Sequence, residues 1–83
     1  MYVSLFKIKN LAGLKEKYKP KFKKIYTDME ELHISGIPCI LNRDHIVCSL
    51  GLSTHDHKFI SNVIENTLKK DGYIIEEQNS FVV

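Results

Sequence analysis

NLAGLKEKYKPKFKKIYTDMEELHISG, residues 10–36, decides how the rest of the chain is assembled. Asn10 is a residue type that caps helices. Apolar side chains then recur at Leu11, Leu14, Tyr18, Phe22, Ile25, Met29 and Leu32. Steps of three and four are the helical period, so the spacing predicts a helix. Pro20 has no amide hydrogen and clashes with the preceding turn, which predicts a kink or a second helical piece starting there. Gly36 stands where such a helix would stop.

Residues 2–8 (YVSLFKI), before this stretch, are rich in β-branched and aromatic types and read as a strand. Val3, Leu5 and Lys7 share one face of it, and Tyr2, Ser4, Phe6 and Ile8 the other. Beyond Gly36, residues 37–41 (IPCIL) and 45–52 (HIVCSLGL) read as two strands around Asn42-Arg43-Asp44. Pro38 marks the first as an edge strand, or delays its pairing. Keeping both apolar sets on one side fixes the register, with Leu41 opposite Ile46 and Cys39 opposite Cys48. Ser53-Thr54-His55-Asp56 then starts a helix in the manner of a capping box. Phe59, Ile60, Val63, Ile64 and Leu68 form its apolar stripe, and Asp71-Gly72 ends it. Residues 73–83 follow as a strand, with a turn at Gln78-Asn79 into a short hairpin.

The order β-α-β-β-α-β predicts an α+β fold of the ferredoxin-like split βαβ kind, an antiparallel sheet with two helices on one face. A winged-helix-like unit ranks second, because it needs a helix where IPCIL reads as a strand. The stretch Gly13-Leu14-Lys15-Glu16-Lys17-Tyr18 resembles the opening of the first helix in small bacterial YlxP-like domains. The apolar strand Ile46 to Leu52 running into a capped helix is similar as well. That resemblance implies the same strand order and brings no functional residue with it.

Eighty-three residues suffice for a single domain, 1–83, with a small core. With 43% hydrophobic and 27% charged residues the composition is that of a soluble globular chain, not a disordered one. The longest apolar runs are about four residues, against roughly 20 for a bilayer span. No basic segment precedes an apolar one at the N-terminus, and two cysteines make no disulfide framework. These features predict a cytoplasmic protein with reduced thiols and no membrane partner.

Charge is distributed unevenly. The first 24 residues hold eight lysines and one acid, a net +7, whereas the remainder holds four bases and nine acids, a net −5. On the helical reading Lys15, Lys19 and Lys23 line up, with Lys17, Lys21 and Lys24 in a second row. Such rows suit an acidic protein surface or a phosphate backbone. The same rows on a solvated face need no partner at all. Lysine lacks the planar fork of arginine, and no base-reading motif accompanies it. The second candidate surface is the helix-free sheet face, assigned to Tyr2, Phe6, Ile8 and Val47. The aromatic pairs by which RNA-recognition sheets stack bases are incomplete there, so a protein partner or a homodimer is the expected occupant.

Metal and catalytic chemistry find little support. His45 and Cys48 are three apart on a strand and point to opposite faces, and His55 and His57 diverge on a helix. His57 is expected on the surface. With Cys39 added, these residues still do not converge as zinc ligands must, so no metal and no cofactor are expected. Cys39 and Cys48 read as two small buried hydrophobes. Asp44-His45 and Asp56-His57 are sequence neighbours, and Glu30-Glu31 and Glu76-Glu77 are the paired carboxylates. None of these carries a nucleophile with an orienting group, and no glycine-rich phosphate loop is present. The expectation is a non-enzymatic binding or regulatory module that acts through a protein interface, its lysine-rich helix steering an acidic partner. Nucleic-acid binding through the same lysines is the alternative. Small size without catalytic motifs suits a phage or mobile-element accessory protein.

Overall fold

The computed structural model describes residues 2–18, 25–26, 29–49 and 54–82. They form an α+β unit with one antiparallel sheet and two helices. The elements in chain order are β1 (Tyr2–Ile8), α1 (Leu14–Lys17), β2 (Ile25–Tyr26), β3 (Met29–Ile34), β4 (Ile37–Asn42), β5 (His45–Ser49), α2 (Thr54–Lys70) and β6 (Ile75–Val82). The sheet runs β2-β3-β4-β5-β1-β6, and every pairing in it is antiparallel.

Among the described residues the helix expected over residues 10–36 is reduced to one turn followed by strands, so the ferredoxin-like order is not matched; the kink or second piece expected at Pro20 lies outside them. α1 is a single turn of four residues. Its N-cap is Gly13, at φ 79, without a side-chain cap. Asn10, the expected cap, instead clamps the loop before β6: its Nδ2 donates to the Gly72 carbonyl at 3.1 Å, and its Oδ1 accepts from the Ile74 amide at 2.8 Å. Met29–Ile34, read as the end of a helix, is a strand paired with β4. Ser35 at φ 51 and Gly36 at φ 78 join the two as a two-residue turn. Positive φ at both central positions is the type I′ geometry, whose twist matches flanking strands. Gly36 therefore ends a hairpin turn rather than a helix. The resemblance of Gly13–Tyr18 to a long first helix does not extend to the structure, because the helix closes after Lys17.

The hairpin of β4 and β5 has the expected register, with Leu41 opposite Ile46. β4 lies inside the sheet, between β3 and β5, and not at an edge. Its pairing with β5 runs from Ile40, beyond Pro38. α2 also forms, with Ile60, Ile64 and Leu68 of the expected stripe against the core, but Phe59 is 66% exposed. It ends in a Schellman motif: Gly72, at φ 90, donates to the Lys69 carbonyl at 3.1 Å, and the Tyr73 amide donates to Leu68 at 3.0 Å. β6 then runs unbroken to Val82, without the hairpin expected at Gln78-Asn79.

One buried cluster unites the elements. Phe6 and Ile8 of β1 join Leu14, Tyr18, Leu32, Ile34, Cys39, Leu41, Ile46, Cys48, Ile64, Leu68 and Tyr73. Residues from α1 and α2 share this cluster with alternate residues of β1, β3, β4 and β5, so both helices cover the same face. A small polar knot borders it, reaching out to the exposed residues of β6. Ser4 Oγ lies 3.2 Å from Ser61 Oγ and 2.9 Å from Ser80 Oγ, and Gln78 Nε2 donates to Ser61 Oγ at 3.0 Å. Ser4 and Ser61 are thus buried without losing partners, as burial of hydroxyls demands.

Candidate functional site: the helix-free face of the sheet

Strand parity decides which residues form the uncovered face. Phe6 is 0% and Ile8 2% exposed, so both belong to the core and not to the free face assigned to them above. Tyr2 lies on their side and stacks on His57 at a centroid distance of 5.1 Å. His57 itself is buried, contrary to the expected surface position. Val47 is the one member of the expected set on the free face. Its neighbours there are set by the register: Leu5 on β1 and Ile40 on β4 both oppose it. Val3 opposes Phe81, extending the apolar area onto β6. Ile40, on an inner strand, is 43% exposed, and Phe81, on the edge strand β6, is 48% exposed.

Charged groups surround this area. Leu5 opposes Asn79, Lys7 opposes Glu77 and His45, and Ile40 opposes Glu31. Lys7 Nζ lies 3.6 Å from Glu76, and His33 Nε2 lies 3.2 Å from Glu31. At the β4–β5 turn, His45 Nδ1 donates to Asp44 Oδ1 at 2.8 Å. Asp44 and His45, neighbours in sequence, are thus in contact. Beside it the face hollows into a cavity of about 590 Å³, lined by Leu5, Met29, Val47 and the turn residues 42–45.

The lysine-rich segment has a different setting from the one expected. Lys15 Nζ pairs with Glu30 at 3.1 Å and Lys17 Nζ with Asp71 at 3.3 Å. Both are surface pairs and each stabilises little. They nevertheless direct these two charges at the protein's own acids, and α1 is too short to carry rows. Lys19, Lys21, Lys23 and Lys24 lie outside the described residues.

The other candidate groups remain in the interior or apart. Cys39 and Cys48 are buried with their Sγ atoms 2.7 Å apart. A hydrogen bond from Cys39 and burial push the Cys48 thiol far up, so it stays protonated at neutral pH. Tyr18 donates its hydroxyl to Asp71. Burial, then this bond, pushes the tyrosine well above its usual range, and the same bond together with Lys17 holds Asp71 below the usual carboxylate range. Among the described residues no three His, Cys, Asp or Glu side chains come together to hold a metal ion. No helix among them is long and apolar enough to cross a membrane.

No protein-family model, curated protein or solved structure matches the chain. Sequence reasoning missed Val3 and Leu5 because β1 is apolar on both sides and parity there has no hydrophobic signature; Ile40 on β4 and Phe81 on β6 were missed with them.

Proposed function

We propose that the protein is a small non-catalytic binding module, and that it meets a partner protein through the helix-free face of its sheet. The supporting observation is the row Leu5–Val47–Ile40, continued by Val3 and Phe81, which neither of the described helices covers, since both pack on the opposite side. An apolar area with a polar rim on a chain this small is what a protein interface requires. Residues 1–24 carry a net +7, of which Lys15 and Lys17 are paired with Glu30 and Asp71; the remaining excess favours a partner with an acidic surface, approached by salt-sensitive steering.

Nucleic-acid binding has less support. The double lysine row that motivated it depended on a helix that ends at Lys17, and Lys15 and Lys17 face acids. The test is affinity capture from native cells, with and without nuclease, using the wild type and an Ile40→Ser/Val47→Ser variant. The reading expects a stoichiometric protein that survives nuclease, is lost in the variant and weakens with salt. Capture by the variant equal to that of the wild type, or capture abolished by nuclease, would contradict it.

A further inference from the structure

We propose that Arg43 anchors a carboxylate-binding site at the turn end of the helix-free face. The proposal rests on that face being the working surface, and it names the chemical group recognised there. The first observation is conformational. Arg43 holds φ 59 at the first position of the two-residue turn between Asn42 and His45, where the favoured residue is glycine. Left-handed backbone at a branched-chain-free but bulky residue is strained, and strain of this kind clusters at binding sites. The turn is held in place from outside, since the Ile8 amide donates to the Asp44 carbonyl at 2.9 Å.

The second observation is position. Arg43 lines the cavity of about 590 Å³ on the free face, whose floor is Leu5, Met29 and Val47. It also lines a smaller cavity of about 350 Å³ on the α1 side, shared with Lys15, Glu16 and Leu41. Volumes of this size hold small ligands or single side chains. The third is charge. Arg43 makes no ion pair among the described residues, whereas Lys15 is engaged with Glu30. Asp44, which lines the same cavity, is hydrogen-bonded by the His45 ring at 2.8 Å and makes no pair with Arg43. A planar guanidinium matches a carboxylate with two parallel hydrogen bonds. The floor would take an alkyl chain attached to it. The group recognised is therefore a carboxylate on an apolar body, either a free acid or a glutamate side chain of a bound protein.

The test is an NMR titration of the intact chain with sodium hexanoate, with hexan-1-ol as the uncharged control. A second arm uses the capped peptides Leu-Glu-Leu and Leu-Gln-Leu. Saturable shifts at Leu5, His45 and Val47 are expected with hexanoate and with the glutamate peptide, and not with either control. In Arg43→Gly the affinity should fall by about tenfold or more, the loss expected for a charged hydrogen bond. Its melting temperature should be held or raised, which separates loss of recognition from loss of fold. Tighter binding of the peptide points to a protein side chain, and tighter binding of hexanoate to a free acid; both support the site. Equal response to the controls, no response to either carboxylate, or unchanged affinity in Arg43→Gly would overturn it. The probes replace the partner, so this outcome is independent of the capture experiment.

Discussion

The two faces of the sheet are built from nearly the same residue types but do different work. On the covered face Phe6 opposes Ile46, which opposes Leu41, and all three are buried beneath the helices. On the free face Leu5 opposes Val47, which opposes Ile40, one residue along each strand. Apolar content alone therefore does not make a core. What separates the two rows is the element packed on top, and a row left uncovered is available to another molecule.

Truncation should expose this contrast most strongly. A domain of this size has about 4–12 kcal/mol of stability. Phe6→Ala should remove about 3–5 kcal/mol, because it leaves a cavity under α2, and urea denaturation should find it largely unfolded at 37 °C. Val47→Ala or Leu5→Ala should cost under about 1 kcal/mol in the same assay. Equal losses on the two faces would mean that the free row is also core.

Proton linkage at the edge of the covered face gives the next effect. The Tyr18 pKa is raised in the fold, so its contribution is present below the unfolded value of 10.0 and lost as pH rises above it. The Asp71 pKa is lowered, so its contribution is present above the ordinary carboxylate value of about 4 and is lost as pH falls through and below it. Thermal melts should therefore drop on both flanks, and Tyr18→Phe should flatten the alkaline one. A Tyr18→Phe profile identical to that of the wild type would refute the coupling.

Thiol labelling sharpens the contrast further. Cys39 and Cys48 belong to the covered face, and a buried neutral thiol is a poor nucleophile. A water-soluble thiol reagent should label neither cysteine quickly at neutral pH, and both at once in denaturant. The smallest effect is at the turn. Arg43→Gly should raise stability by about 0.5–1 kcal/mol through relief of the left-handed backbone, read as a shifted urea midpoint.

Legibility from sequence followed the local signals. α2 was readable because Ile60, Ile64 and Leu68 of its stripe agree with its glycine stop at Gly72, although Phe59 of the same stripe is exposed. The Leu41–Ile46 register was readable because two strands of one hairpin must keep their apolar sets on one side. Residues 10–36 misled because Met29 and Leu32 fit a helical step, while Leu32 and Ile34 fit an alternating one equally well. Pairing with β4 decided between them. Ile34-Ser35-Gly36-Ile37 carried the missed clue, since Ser-Gly between apolar residues is a hairpin turn. The free face was half legible: Val47 was placed on it, but the parity of β1 was inverted. Ser4 on the core side depends on Ser61 and Ser80, partners that no local pattern reveals.

Methyl NMR on the intact chain, with the captured partner added, tests the central claim most directly. The account predicts that the methyl signals of Leu5, Ile40 and Val47 shift or broaden while those of Ile64 and Leu68 stay in place. Perturbation confined to α2, with the Leu5, Ile40 and Val47 methyls unmoved, would contradict it.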